Sequence, residues 1–368
     1  MSSHREIQLS NNSIEIHLAG PGYGEGVLIV IGNEIAIGID CCPSLVQLKD
    51  GERSHLDKRL AQMPDHSRLY WLITHFHLDH FNSFNTVLDL YEDKLESIVV
   101  PTAYTEGDHY FDMLYQEMKE DTGLRMAGHI AIDQLNRLKE SLARDSLKFK
   151  IMQNGARVPW IHTTLLTPDN QRIPLSVDYY GVSVQLLRQL RGESLTKAFK
   201  HKAETESGGP TVAKKDMRPY ATANEGSYIL HVRVGRFEGL FLGDAESKRT
   251  EEILTRRGRT DAEVIYLKVA HHGSDDGTTK VLLEKLCDTE SSKSERHAII
   301  APYQNRLPLP AVINMLVNGG FDVKTSGAKF ADSRVMGNIL KECSPLFDAE
   351  VIGAIAIGAD VITSRVEL

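Results

Sequence analysis

Apolar residues in this chain come in short bursts, and most of the bursts have the length of a strand. Residues 14–18 (Ile-Glu-Ile-His-Leu) alternate as a half-buried strand does, and the glycine-rich run from Gly20 to Gly26 then turns the chain. Two continuous apolar runs, Val27 to Ile31 and Ile35 to Ile39, flank Gly32-Asn33-Glu34 and predict a hairpin that Asp40 closes. The glycine run is a poor phosphate cradle, since neither a helix nor a Lys-Ser/Thr pair follows it. Residues 44–63 predict a polar connection with some helix. Leu69 to Ile73 predicts a buried strand, Phe81 to Tyr91 a helix, and Ile98 to Pro101 a short strand.

Strand patterning returns at Lys148 to Ile151, Ile161 to Leu166 and Val182 to Leu190, then at Asn224 to Val232, Gly239 to Asp244 and Val264 to Ala270, with a helix over 246–257. Near the end, 333–343 predicts a helix, and Val351 to Val361 a strand or a pair of strands closing the second half of the fold. Two stretches interrupt this order. Residues 107–146 carry two amphipathic helical patterns, which either lid a site or pack outside it. Residues 191–223 hold few large apolar side chains but include Lys197, Lys200, Lys202, Lys214, Lys215 and Arg218, so they read either as a solvated surface loop or as a basic flap over an anionic substrate. The reading is one domain over 1–368, with a helical insertion at about 101–147 and a basic, mobile insertion at about 191–223.

Candidate chemistry sits where the apolar runs end. The strand before residue 74 releases Thr74-His75-Phe76-His77-Leu78-Asp79-His80, three imidazoles and a carboxylate in six residues. At such a corner His75 and His77 alternate to one side and can grip one cation, while Asp79 and His80 face a second from a helix N-terminus. Imidazole and carboxylate ligands suit Zn²⁺ first, with Fe and Mn²⁺ also acceptable. The run Gly239 to Asp244 ends in a carboxylate placed to bridge two cations, and Val264 to Ala270 ends at His271-His272-Gly273-Ser274. Distant strands that each release His or Asp at one end are what a shared site at a sheet edge requires.

His75-Phe76-His77-Leu78-Asp79-His80 resembles the HxHxDH signature of the metallo-β-lactamase superfamily of metal-dependent hydrolases. Three further stretches, Asn224-Glu-Gly-Ser-Tyr-Ile-Leu, Phe241-Leu-Gly-Asp-Ala-Glu and Leu267-Lys-Val-Ala-His-His-Gly-Ser, together with Ala298 to Asn305, Leu309-Pro310 and Gly320 to Thr325, are similar to the domain of this type at the C-terminus of the DNA-uptake protein ComEC and its free-standing relatives. The similarity spans about residues 14–330 with insertions. It implies the α/β (α+β) αββα four-layer sandwich: two mixed sheets face to face, helices outside, metals at one sheet edge. It also implies one or two divalent ions, Zn²⁺ first and Mn²⁺ as the alternative, held by His75, His77, Asp79, His80, Asp244 and His271, with Asp79 and His272 catalytic. Asp40 then buttresses the histidine loop or is a plain turn carboxylate, and Asn224, Ser227, Ser274 and Asn305 support the ligands or touch substrate. Between His271 and His272 the sequence leaves the ligand open; His271 is preferred because it comes first after its strand.

Two departures stand out. Many dinuclear members supply a further His where this chain reads Leu165-Leu166-Thr167-Pro168-Asp169, so one metal position lacks a ligand; His162 is nearby, and His109 and His129 are weaker candidates. The His-Pro common near Asn305 is here Leu309-Pro310.

Composition changes the picture only at its margins. With 368 residues, 41% hydrophobic and 25% charged, the chain can bury a sizeable core. Its formal charge of −8 means that a polyanion must be drawn in by local positive charge, such as the basic insertion plus Arg256, Arg257 and Arg259. Cys41, Cys42, Cys287 and Cys343 form no CxxC, which fits a reducing cytoplasmic setting, and no apolar run is long enough to span a bilayer. The expectation is a cytoplasmic hydrolase using a metal-activated hydroxide on DNA or RNA phosphodiesters. Alternatives are a small-molecule hydrolase for a lactone, thioester or phosphate ester, and a non-catalytic or partner-activated subunit of a bacterial multi-gene system, phage defence included. Nucleic acid is the expected partner and no membrane is; protein partners and oligomeric state are not readable.

Overall fold

The computed structural model describes residues 6–19, 25–40, 55–75, 80, 84–99, 157–181, 224, 226–290, 294–302, 307–326, 356–359 and 361–368. In chain order the elements are β1 (Ile7–Gln8), β2 (Ser13–Ala19), β3 (Val27–Ile31), β4 (Ile35–Ile39), α1 (His55–Ala61), β5 (Arg68–Leu72), α2 (Phe84–Tyr91) and β6 (Leu95–Val99). There follow β7 (Arg157–Leu166), β8 (Arg172–Tyr180), β9 (Ile229–Val234), β10 (Phe237–Phe241), α3 (Ser247–Arg257), β11 (Val264–Lys268), α4 (Lys280–Leu286), β12 (Glu295–Ile300), α5 (Pro310–Asn318), β13 (Asp322–Ser326), β14 (Ala356–Ala359) and β15 (Val361–Glu367).

These strands form two mixed sheets, of order β15-β2-β3-β4-β5-β6 and β1-β7-β8-β9-β10-β11-β12-β13-β14. Each sheet changes character partway across. β2, β3 and β4 are antiparallel, as are β7 to β10, joined in part by tight turns such as Gly32-Asn33-Glu34. From β4 to β6 and from β10 to β14 the pairing is parallel, and parallel neighbours need a crossover. Helices α1 to α5 sit in those crossovers, which is why helical and strand patterns alternate in these parts of the sequence.

Burial follows the layers. Ile14, Ile16, Ile29 and Ile37 meet Leu175, Val177, Leu230, Val232 and Phe241 in the core between the sheets. On the far side of the nine-stranded sheet, Ile265, Leu267 and Ile300 pack under Leu254 of α3, Leu282 and Leu286 of α4, and Ile313 and Leu316 of α5. The outer face of the smaller sheet carries α1, whose Arg59 reaches Glu15 at 2.8 Å and Asn33 at 2.7 Å, while the Tyr91 hydroxyl of α2 donates to the Asp57 carbonyl at 2.9 Å. The architecture is thus the four-layer α+β sandwich.

Two elements differ from the patterning. β8 forms over a run that offers no apolar burst, because Pro174, Ser176 and Asp178 take the outward positions between the core-facing Ile173, Leu175, Val177 and Tyr179. The terminal apolar run forms a pair of strands that separate: β14 extends the nine-stranded sheet beside β13, whereas β15 crosses to pair with β2 in the other sheet. The insertions at 101–147 and 191–223, the strands expected at 148–151 and 182–190, and the helix expected at 333–343 lie outside the described residues.

Candidate metal centre

Five parallel strands deliver their carboxyl ends to one edge of the sandwich: β4 and β5 from one sheet, β10, β11 and β12 from the other. Open sheets present ligand-binding residues at such ends. A hydrogen bond from Tyr228 N to the Thr74 carbonyl at 2.9 Å stitches the sheets together there.

Asp40 ends β4 with a φ of +53°, a left-handed conformation that costs a non-glycine residue on the order of 1–3 kcal/mol. That twist turns its carboxylate onto the next strand end. It accepts from Thr74 N at 2.6 Å, from the Thr74 hydroxyl at 2.7 Å and from His80 Nδ1 at 2.8 Å. The Thr74 hydroxyl, having donated its proton, accepts from His75 Nδ1 at 3.0 Å. Both rings therefore carry their protons on Nδ1 and turn Nε2 toward Asp244: His75 Nε2 lies 3.5 Å from Oδ2 and His80 Nε2 lies 3.4 Å from Oδ1. A buried carboxylate behind an imidazole is the usual way of fixing the tautomer of a metal-binding histidine.

Asp244 reaches this point through Gly243. With φ +53° and a hypothetical Cβ only 2.4 Å from the Ser227 hydroxyl, position 243 accepts glycine alone. The Ser227 hydroxyl accepts from Asp244 N at 3.0 Å, and the Ser227 carbonyl is gripped at 2.5 Å by Arg249 of α3, whose guanidinium burial draws down to about 10.

After β11 three successive residues, His271, His272 and Gly273, have positive φ (46°, 55° and 86°). This turn sends the two imidazoles to different surroundings. His272 is buried and donates from Nδ1 to the Ala301 carbonyl at 2.9 Å, which puts its lone pair on Nε2. His271 is partly open; its Nδ1 faces Asp276 at 3.2 Å and Asn224 Nδ2 donates to its Nε2 at 3.3 Å. Burial pulls the His271 pKa down, but the hydrogen bond and charge of Asp276, with Asp244 behind, leave it raised. Ser274 hydrogen-bonds Asp276 and so serves the His271 side of the turn.

Among the described residues two sets of three ligating groups result, each with its ligand atoms within 4.8 Å of one another: His75, His80 and Asp244, and Glu25, Asp244 and His272. All five residues are buried. The shared member, Asp244, is where a bridging ligand would stand. The donor chemistry fits a divalent cation, and so does the state of the oxygens, because Asp244 Oδ1 and Glu25 Oε1 are buried without a hydrogen bond. Charge agrees. Burial opposes ionisation of Asp244, yet His80, then His75 and His272, hold its carboxyl well below the usual range. At Asp40 burial dominates and raises the carboxyl despite the same His80.

Relative to the sequence reading, the structure brings together Asp40, His75, His80, Asp244 and His272, and places Asn224, Ser227 and Ser274 around them. His271, preferred above as the metal-side residue, is in neither ligating set found among the described residues, whereas His272 is in one of them. His77, Asp79 and Asn305 lie outside the described residues, as do His109 and His129. His162 is engaged with Asp178 at 2.8 Å on the outer face of β7 and β8. Arg257 is no phosphate contact, since its buried guanidinium is spent on Glu238 at 2.6 Å. Patterning missed Glu25, hidden in the glycine run, and Thr74, Lys268 and Arg249, whose respective partners Asp40, Glu25 and Ser227 are remote in sequence and leave no local signal.

Fold and site together define a four-layer α+β sandwich with a buried cluster suited to metal at one sheet edge. No family model matches the chain, and no curated protein matches it. Among solved structures, a mutant of the CmlA beta-hydroxylase aligns over 96% of this chain and 54% of its own, with 10% identity and a TM-score of 0.39. The chain thus spans about half the length of that protein. No helix among the described residues is long and apolar enough to cross a membrane.

Proposed function

We propose that this chain is a metal-dependent hydrolase whose substrates are nucleic-acid phosphodiesters. The observation that carries the hydrolase reading is the pair of ligating sets sharing Asp244, buried and oriented from behind by Asp40 and the Ala301 carbonyl. Zn²⁺ is the first choice and Mn²⁺ the alternative. Bound there, a divalent cation lowers the pKa of water toward neutrality and polarises the electrophile. His75, His80, His272 and Asp244 hold the centre, and Thr74 fixes the His75 ring. His271, beside them and partly open to solvent, is placed to give a proton to the leaving oxygen. Asp79, from the HxHxDH stretch, takes the role of orienting the attacking water. Phosphodiesters are favoured as substrate by the motif set similar to ComEC and by the lysines of 191–223.

Purified protein supplied with Mn²⁺ or Zn²⁺ should cleave end-labelled single- or double-stranded DNA or RNA, and an Asp79→Ala variant prepared identically should not. Cleavage that persists in the variant would remove Asp79 from the mechanism. Failure on every polymer with every metal would sink the nuclease reading and turn attention to lactones and phosphate esters.

A further inference from the structure

Glu25 is the one member of the two ligating sets that no motif accounts for, and its surroundings are unusual. It precedes β3 in the smaller sheet and is fully buried, yet its partner is Lys268, at the end of β11 in the other sheet. The Lys268 ammonium pairs with Oε2 and also faces the Gly243 carbonyl at 3.4 Å, directly behind Asp244. Oε2 is thereby held. Oε1 is left with no hydrogen bond, although it lies 3.0 Å from His272 Nδ1, because that N–H is aimed at the Ala301 carbonyl. A carboxylate with one oxygen pinned by an ammonium and the other buried without a hydrogen bond still lacks the partner that a cation at Oε1 would supply.

From this geometry we infer that Glu25 is a metal ligand through Oε1, completing with Asp244 and His272 a second cation position beside the one formed by His75, His80 and Asp244. The inference rests on the reading of the cluster as a metal centre and adds to it. It also gives the two positions different chemistry. Two imidazoles and one carboxylate suit Zn²⁺, whereas two carboxylates and one imidazole form a harder, oxygen-rich set that suits Mn²⁺ or Fe²⁺. The sequence lacks the further histidine of many dinuclear relatives, and a carboxylate from the far side of the sandwich supplies a ligand that patterning cannot find. Lys268 is a positioning residue here: it fixes Oε2, which lies 3.9 Å from His80 Nε2, keeps Glu25 from taking both its oxygens to the cation, and balances one of three buried carboxylates, Asp40, Asp244 and Glu25.

The test is metal stoichiometry and affinity, measured on the full chain stripped of metal and titrated with Mn²⁺ or Zn²⁺ alone, with Mn²⁺ followed by electron paramagnetic resonance. Glu25→Gln is the direct variant. Because it leaves the Lys268 ammonium buried and unpaired, Glu25→Gln/Lys268→Met is measured beside it, removing both charges together. Wild-type protein should bind two equivalents. Both variants should keep one and bind the second at least about 100-fold more weakly, with the paramagnetic signature of the coupled pair lost. Two equivalents held by the double variant with wild-type affinity would overturn the assignment and leave Glu25 as a counter-ion of Lys268. So would a single equivalent that neither substitution disturbs. Wild-type protein that binds no metal would overturn the metal-centre reading itself, a different result from either of these.

Discussion

Two buried clusters of histidine and carboxylate lie on the nine-stranded sheet, and they end in opposite conditions. Beneath α3, on the outer face, His231 of β9 and Arg257 clamp Glu238 of β10: Oε1 meets His231 Nε2 at 2.6 Å and Oε2 meets the guanidinium at 2.6 Å. Arg257 goes on to cap the α4 end, donating to the Lys285 carbonyl at 2.8 Å. Both carboxylate oxygens are engaged and the charge is balanced by the protein's own cation. At the sheet edge the residue types are the same, but three carboxylates face one ammonium, and two oxygens, Asp244 Oδ1 and Glu25 Oε1, have no hydrogen bond. Histidine beside carboxylate is therefore no signature of a site. What separates a brace from a site is whether the protein supplies the compensating charge.

That contrast can be broken by substitution. Asp244→Asn strikes the member common to both ligating sets, so metal content should fall to background and hydrolysis by at least about 1000-fold, while thermal unfolding without metal moves little or upward. Metal analysis and melting of the stripped protein check it; retained metal would remove Asp244 as the bridge. Arg257→Met should do the reverse, leaving metal affinity intact and costing about 3–5 kcal/mol of stability by stranding Glu238, readable as a drop in denaturant midpoint. Acid sharpens the comparison further. Burial works against the charge of Glu238, but the hydrogen bond and charge of His231 with the charge of Arg257 prevail and bring its pKa to about 2 from 4.5. A depressed pKa contributes stability that is present above the unfolded value of 4.5 and lost as pH falls through about 2. At most about 3 kcal/mol is involved, so the stability gap between wild type and Glu238→Gln should narrow steadily between pH 5 and pH 2. A gap independent of pH would mean that Glu238 is not held ionised by its neighbours.

The sequence is most legible where one physical rule acts alone. β4, β5 and β11 are apolar runs that end in or just before polar residues, and the parallel pairing that buries both faces of such strands also sets their ends side by side. β8 is obscured because Pro174 and the outward Ser176 and Asp178 dilute its pattern. His271 and His272 could not be told apart, since their facing depends on left-handed backbone at both, which no periodicity encodes. Glu25 was unreadable for a simpler reason: the residue that explains it, Lys268, is 243 positions away.

The division of the ligands between sheets has a consequence for assembly. Asp40, His75 and His80 issue from the smaller sheet, Asp244 and His272 from the larger, and Tyr228 N to the Thr74 carbonyl is the backbone link beside them. Each ligating set found among the described residues takes groups from both sheets, so neither set is complete until the two sheets have docked. Full coordination would therefore wait for that docking, and a bound ion would act as a rivet against the sheets sliding apart.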